Sequence, residues 1–265
     1  SSVTNVGHHV FAGCAALTSI TIPSGVVSIG DMAFYYCSSL TNINIPNGVT
    51  YIGDQTFYYC SRLASIAIGN NITYIGNEAF RNCTILTGLS PLSNVTSVGN
   101  GAFSGCASLA NISIPGSVTN IGNYAFNNCA SLTSVTIPTN ITKIKTGVFS
   151  GCTNLTSITI PTSVNNIEDY AFYFSGLTNV TIPNNVTNIG NAALCYCSSL
   201  NTITVDSNNP AFSSMAGVLF DKNQTTLIQF PGGKGGDYTI PNSSTNISGG
   251  AFWCCYNLTN VAIGT

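Results

Sequence analysis

One spacing constrains this chain more than any other feature, because phenylalanine recurs every 23 residues, at Phe11, Phe34, Phe57, Phe80, Phe103, Phe126, Phe149 and Phe172. In most units a Cys follows at plus three, a Leu at plus six and two β-branched residues at plus nine and plus eleven, as in Cys37, Leu40, Ile43 and Ile45. A repeat of roughly 20 to 29 residues with such offsets is typical of a solenoid, whose core forms only when units stack.

Each unit contains signals for two kinds of local structure. The alternation of apolar and small polar residues around Ile43 and Ile45 predicts a short strand, and stacked units predict a parallel sheet. The run Ala-Phe-x-x-Cys-x-x-Leu has near-helical spacing and predicts a short helical turn. Asp or Asn three residues before the Phe, as at Asp31 and Asp54, is expected to cap that turn.

The repeats continue over nearly the whole chain, and we predict one solenoid domain over residues 1–265. Pro91 falls within a predicted strand and should weaken pairing there. The longest interruption is about 206–237. Within it, two apolar runs flank residues 221–225 and predict a β-hairpin insertion.

Composition excludes several classes of protein. Only 5% of the residues are charged and the net charge is -2, whereas globular proteins average about 25% charged residues. There is no basic stripe for nucleic acid and no run of about 18 apolar residues for membrane insertion. No signal peptide is recognisable, and we interpret the chain as a mature fragment or part of a longer array.

The chain has 11 cysteines, and seven of them occupy one position of the repeat. Equivalent side chains in stacked units point the same way, so we predict a ladder of buried thiols that packs as small apolar groups. Cys195, Cys197, Cys254 and Cys255 lie outside this ladder, and a disulfide among them stays open.

These units resemble the BspA-like, or Treponema-type, leucine-rich repeats, whose unit is roughly Leu-x-x-Ile-x-Ile-Pro-x-x-Val-x-x-Ile-Gly-x-x-Ala-Phe-x-x-Cys. The resemblance covers nearly all of the chain. It implies a right-handed superhelix with short parallel strands on one side and short helical turns on the other. It also implies an extracellular or cell-surface protein that adheres to host or matrix glycoproteins or to other cells.

No arrangement of residues indicates catalysis, a cofactor or a metal. His8 and His9 have no nucleophile that the repeat would place beside them. Glu168 and Asp169 are adjacent on a turn and are not expected to face each other across a substrate. Residues 232–236 are rich in Gly but lack the hydroxyl residue and helix of a phosphate loop. We predict that the chain is not an enzyme.

Aromatic residues provide the sharpest candidate for a partner-binding surface. Tyr and Arg are enriched at binding hot spots, and we select as candidates Tyr35, Tyr36, Tyr51, Tyr58, Tyr59, Tyr74, Arg62 and Arg81. Tyr170, Tyr173 and Phe174 repeat the pattern later in the chain. The structural alternative is that the tyrosines stack only to shield the turn beneath them.

Asparagine sequons are frequent and suggest glycosylation if a eukaryote exports the chain. The acceptors are Asn71, Asn82, Asn94, Asn111, Asn140, Asn154, Asn179, Asn185, Asn223, Asn242, Asn246 and Asn257.

The expected partner is a protein or glycoprotein, with glycans as a further ligand class for the Ser, Thr and Asn on the exposed strand face. The main alternative is structural. Neither end of the chain shows a polar capping unit, so head-to-tail stacking into a filament is physically available. A remoter alternative is binding of ice or a crystal surface by the same lattice.

Overall fold

The computed structural model describes residues 2–264, which form a β-solenoid of about 11 turns with repeats of about 23 residues. Contacts divide the chain into two compact units, Ser1–Ile141 and Thr142–Thr265. We call each turn a coil and name it by the residue at its phenylalanine position. The prediction of one domain and the right-handed sense stay predictions.

The first unit contains short strands only. They are β1 (Asn5–Val6), β2 (Ser28–Ile29), β3 (Asn42–Asn44), β4 (Tyr51–Ile52), β5 (Ser65–Ala67), β6 (Tyr74–Ile75), β7 (Gly88–Leu89), β8 (Ser97–Val98), β9 (Asn111–Ile112), β10 (Asn120–Ile121) and β11 (Ser134–Val135).

The second unit contains longer strands as well. They are β12 (Lys143–Ile144), β13 (Asn166–Ile167), β14 (Asn179–Ile182), β15 (Asn188–Ile189), β16 (Thr202–Val205), β17 (Phe212–Met215), β18 (Val218–Asp221), β19 (Thr226–Gln229), β20 (Gly236–Ile240), β21 (Asn246–Ile247) and β22 (Leu258–Ile263).

Neighbouring coils pair in parallel with a register equal to the repeat. In one sheet of the first unit β3 pairs with β5 and β5 with β7, so that Ile43 lies beside Ile66. In a second sheet β4, β6, β8 and β10 pair in that order, and Tyr51 lies beside Tyr74. Because side chains alternate between the two faces of a strand, this register keeps every buried column in line.

The phenylalanine column is the centre of the core. Ring centroids of Phe57 and Phe80 are 5.4 Å apart, those of Phe80 and Phe103 5.2 Å, and those of Phe103 and Phe126 5.5 Å. All four side chains are fully buried, as are the Cys and Leu columns beside them. The inference of stacked aromatic, thiol and aliphatic columns is therefore confirmed.

The predicted helical turns are wrong, because residues 2–264 contain no helix. The residues two before and two after the phenylalanine have positive φ, 55° at Met32 and 57° at Tyr36, and such left-handed residues interrupt an α-helix. The amides of Met32, Phe34 and Tyr36 donate to carbonyls of the next coil at 2.8 to 3.0 Å. The segment is thus a series of turns bonded from coil to coil.

The Asp and Asn column also works differently from the prediction. Asp31 Oδ1 accepts the amide N–H of Asp54 at 2.9 Å, and Asp54 Oδ1 accepts that of Asn77 at 2.7 Å. Each side chain therefore caps the equivalent residue of the next coil rather than its own turn. The physical reason is that coil stacking brings that N–H closer than any orphan amide of a helix.

The irregular segments have local effects. The ladder of β3, β5 and β7 ends at β7, just before Pro91. This agrees with the prediction that Pro91 weakens strand pairing. The predicted two-stranded insertion at 206–237 differs in detail, since β17, β18 and β19 form an antiparallel meander of three strands. Strand β19 then pairs in parallel with β21, so the segment supplies a coil of the ladder.

Phe103→Ala should lower the free energy of unfolding by about 3 to 5 kcal/mol, because it removes a fully buried ring that neighbouring coils contact on both faces. Urea unfolding of the two proteins measures this difference. Ser113→Ala, at an exposed position of the same coil, is the control and should change stability by less than about 0.5 kcal/mol. Equal midpoints for Phe103→Ala and the unmodified protein would contradict the stacked core.

Candidate interaction surface

Four of the predicted tyrosines form one cluster on two neighbouring coils. The ring centroids of Tyr35 and Tyr58 are 5.0 Å apart and stacked, and those of Tyr36 and Tyr59 are 4.8 Å apart and stacked. Within a coil, Tyr35 and Tyr36 are tilted at 4.7 Å. We call these four residues the tyrosine cluster. It is two rings wide and two coils long.

The backbone beneath the outer pair is unfavourable for a bulky side chain. Tyr36 and Tyr59 both have φ of 57°, whereas other coils place Asn82, Gly105 or Asn128 at the same position. Asn and Gly tolerate the left-handed region, but a bulky residue there is an outlier that suggests a functional constraint. About two-fifths of each outer ring is exposed, 41% for Tyr36 and 38% for Tyr59.

Arg81 borders the tyrosine cluster on the following coil. Its guanidinium carbon lies 6.0 Å from the ring centroid of Tyr58, and its Nη1 forms an ion pair with Glu78. Desolvation raises the pKa of Tyr36 and of Tyr58 above its ordinary value. Arg62 is exposed and makes no hydrogen bond, ion pair or ring contact with another described residue.

Tyr51 and Tyr74 lie on the second strands, and no ring contact within residues 2–264 joins them to the tyrosine cluster. Tyr51 is exposed, while Tyr74 is half-buried and its pKa is raised by that burial. They form a separate strip. The structure thus brings together four tyrosines and Arg81, and leaves Tyr51, Tyr74 and Arg62 apart.

A second aromatic group occurs in the unit after Ile141. Tyr173 contacts Tyr170 and Tyr196 at 5.6 and 5.0 Å, and Tyr196 contacts Trp253 at 5.5 Å. Tyr196 and Trp253 are absent from the residues that the sequence suggested. Tyr196 lacks the usual marker because Leu194 replaces the phenylalanine of its coil, whereas Trp253 follows Phe252 at the position of Tyr35. Aligning Leu194 with the phenylalanine column places Tyr196 at the position of Tyr36 and would have identified it.

The sequon asparagines are all exposed except Asn82, which is half-buried. Several use the amide nitrogen that a glycan would modify. Asn71 Nδ2 donates to Asn47 O at 2.8 Å and Asn94 Nδ2 donates to Asn70 O at 2.6 Å. Glycosylation stays a prediction.

The cysteine column is buried from Cys37 to Cys152, as predicted, but Cys14 in the first coil is exposed. No cysteine of residues 2–264 forms a disulfide, and this includes Cys195, Cys197, Cys254 and Cys255. Cys60 Sγ donates to Phe34 O at 3.2 Å and Cys83 Sγ to Phe57 O at 3.1 Å. Desolvation raises the pKa of Cys37 to about 11, and it also raises the pKa values of Cys60, Cys83 and Cys106.

Residues 2–264 contain no group of three His, Cys, Asp or Glu that could bind a metal ion. No helix in that range is long and apolar enough to cross a membrane.

The coil geometry defines a leucine-rich-repeat solenoid, and comparison with known families gives a narrower assignment. The family described as BspA type Leucine rich repeat region matches residues 4–133, 119–234 and 234–265 in six copies. The chain belongs to the BspA-type leucine-rich repeat family, which confirms the resemblance found in the sequence. Proteins of this kind have a protein-interaction role.

Solved structures of bacterial proteins have the same fold. A leucine-rich cell-surface protein from Faecalibacterium prausnitzii A2-165 is 27% identical, with TM-score 0.65 over 99% of this chain and 70% of its own. A leucine-rich repeat protein from Bacteroides ovatus is 26% identical, with TM-score 0.61 over 97% and 69%. The T. pallidum leucine-rich repeat protein is 28% identical, with TM-score 0.54 over 69% and 78%. No curated protein sequence matches the chain.

Raising the pH from about 8 to about 10 should destabilise the protein. A thiol whose pKa is 9.0 when unfolded and about 11 when folded keeps its full contribution below pH 9. It loses that contribution as the pH rises from 9 towards 11, because only the unfolded chain releases the proton. Urea midpoints at the two pH values measure the loss.

Cys83→Ser with Cys106→Ser is the matched variant, since Ser175 occupies the same position in the Phe172 coil. It should show a smaller loss over this pH range, because two titrating groups are gone. An identical loss in both proteins would show that other groups cause it.

Proposed function

We propose that this chain is a non-enzymatic recognition module that works outside the cell or at its surface and binds a protein or glycoprotein. Membership of the BspA-type family supports an interaction role. The similarity to a cell-surface protein of Faecalibacterium prausnitzii supports the location. The tyrosine cluster, bordered by Arg81, is the part of the molecule that we assign to the partner.

The observation that carries this assignment is the pair of exposed tyrosines at positive φ. Five other coils place Gly or Asn at this position with positive φ, so folding does not require an aromatic residue there, and only Phe174 and Tyr196 of the second unit repeat the aromatic choice among residues 2–264. Tyrosine provides a large contact area at low entropic cost and is enriched at binding hot spots. A surface that accepts backbone strain to present two such rings is better explained by binding than by shielding.

The chemistry of this surface favours an uncharged contact. Arg81 is already paired with Glu78, and the chain as a whole has few charged residues. The phenol rings therefore offer stacking and hydrogen bonds rather than an electrostatic patch. Binding should depend weakly on salt, because screening acts on exposed charges.

Glycans are the alternative ligand for the tyrosine cluster, since a sugar ring also stacks on aromatic faces.

Head-to-tail association is a second candidate function. Strand β22 pairs with β20 and has exposed Val261 and Ile263, at 38% and 73%, and an exposed apolar strand is a template for pairing with a second copy of this chain. Sedimentation over a range of concentrations tests it: growing oligomers support assembly, and a constant monomer mass contradicts it.

Tyr36→Gly with Tyr59→Gly should weaken binding of the partner at least about tenfold, because it removes two hot-spot rings. Stability should fall little, since Gly105 occupies the same backbone conformation. The measurement compares extracellular proteins retained by the immobilised variant with those retained by the unmodified chain, followed by affinity determination for each protein lost.

Tyr124→Gly is the matched control. Tyr124 is also exposed, at 43%, and has φ of 56°, but lies outside the tyrosine cluster. It should retain the partner. The proposal would be contradicted if the double variant retained every protein that the unmodified chain binds. It would also be contradicted if the double variant lost binding only because its melting temperature fell far below that of the unmodified chain.

A further inference from the structure

One coil of the second unit lacks a turn that its neighbours have. In the Leu194 coil, Gly190–Ala193 connect the second strand to the core position, and in the Phe252 coil 248–251 do so. In the Phe230 coil, Leu227 pairs with Ile247, and only Ile228 and Gln229 follow before Phe230. The Phe230 coil therefore has two residues where each of the two flanking coils has a turn of four.

The missing turn leaves a slot of about 580 Å³. Residues 190–193 line one wall, Ser248–Gly250 line the other, Ile228 and Gln229 form the base, and Tyr170 and Trp253 stand at the rim. A Cβ placed on Gly249 would meet nothing within 4 Å, whereas one on Gly190 would lie 2.4 Å from Asp169 Oδ1. The slot is thus open space on the side where the ladder of turns is interrupted.

The coil before the slot shows how an occupied position is bonded. Asp169 Oδ1 accepts the amide N–H of Asn191 at 2.7 Å. The amide N–H of Tyr170 donates to the carbonyl of Asn191 at 3.0 Å. A side-chain oxygen and the next amide N–H therefore bind both backbone groups of one residue in the following coil.

The same pair of groups is repeated at the slot without a partner. Asn191 stands at the position of Asp169, and Ala192 stands at that of Tyr170. The backbone conformations match, since φ is 52° at Ala192 and 57° at Tyr170. Among residues 2–264 the structure shows no hydrogen bond to the Asn191 side chain or from the Ala192 amide. Both residues line the slot, Asn191 with an exposed side chain and Ala192 partly buried.

We propose that this slot binds the backbone of a short, uncharged peptide turn from a partner protein. Asn191 Oδ1 accepts the N–H of one peptide residue, and the Ala192 N–H donates to its carbonyl. This is peptide recognition through main-chain hydrogen bonds, as in the addition of a strand to an open edge. The bound turn completes the interrupted ladder.

The lining defines which peptides fit. It contains no Asp, Glu, Lys, Arg or His, so a charged side chain would lose its hydration without a partner. The Gln229 amide is already used, since Nε2 donates to Phe230 O and Oε1 accepts from Cys195. The walls consist mostly of Gly, Ala and Ser, and the Gln229 side chain at the base is held by its hydrogen bonds. This lining favours small residues such as the Gly-Asn-Ala of the chain's own turns.

A sugar fits the observations less well. The unpartnered groups stand at the positions of Asp169 Oδ1 and the Tyr170 N–H, which bind the N–H and C=O of one residue in the coil before. Sugar hydroxyls can also donate and accept, but nothing else in the lining repeats a contact that is specific to a sugar. The slot lies in the second unit and contains none of the tyrosine cluster. Its occupancy therefore goes beyond the function proposed above and is tested separately.

The test is a titration of the whole chain with the tetrapeptide acetyl-Gly-Asn-Ala-Ala-amide, a copy of residues 190–193. Trp253 is the only tryptophan of the chain and lies at the rim, so its fluorescence reports occupancy. We expect a saturable change. The peptide with Pro in place of Asn lacks the N–H that Asn191 accepts and should bind about fivefold more weakly or worse.

Two variants separate binding from folding. Asn191→Ala should weaken the tetrapeptide about fivefold or more and leave the urea midpoint unchanged, because that side chain makes no bond in the protein. Asn100→Ala removes a bond of 2.8 Å to the Asn123 amide. It should lower the midpoint and leave peptide binding intact.

Three results would overturn the proposal. One is no saturable change with the tetrapeptide, and another is equal affinity for the Asn and Pro peptides. The third is a saturable response to glucose or N-acetylglucosamine that Asn191→Ala abolishes, which would assign the slot to sugars. Each result leaves the tyrosine cluster and its own test unaffected.

Discussion

Hydrogen bonds between the backbones of neighbouring coils are the interaction on which the structure depends. They fix a separation close to the strand spacing of about 4.8 Å, and every side-chain column inherits it. Phenylalanine rings at this spacing stack face to face, and each thiol reaches the phenylalanine carbonyl of the coil before it. A single unit could make none of these contacts, because each one needs the next copy.

The same constraint separates positions that must be filled in one way from positions that are free. Buried columns repeat their residue type, while exposed positions of the turns vary from Tyr to Asn to Gly. Binding surfaces can therefore form on the exposed columns without disturbing the core. The tyrosine cluster is one such surface, and its strained backbone at Tyr36 and Tyr59 distinguishes it from neighbouring coils.

Interruptions of the repeat have the opposite effect, since they leave ladder groups without partners. Pro91 ends a sheet. The shortened Phe230 coil opens a slot, and Asn191 and Ala192, whose groups a further turn would bond, line it. A solenoid can thus acquire a site where part of a coil is missing as well as where a residue is replaced, because its regular coils bond one another's turns.

The sequence by itself determined the repeat, the buried columns and the parallel strand around Ile43 and Ile45, because a fixed period specifies which residues stack. Only the tertiary structure decided what each polar group bonds. It replaced helical turns by bonds between coils, turned the Asp31 cap towards Asp54, and joined Tyr196 to Trp253. Local sequence cannot predict these outcomes, since a series of turns and a helix have the same apolar spacing. Hydrogen bonds to the neighbouring coil decide which of the two forms.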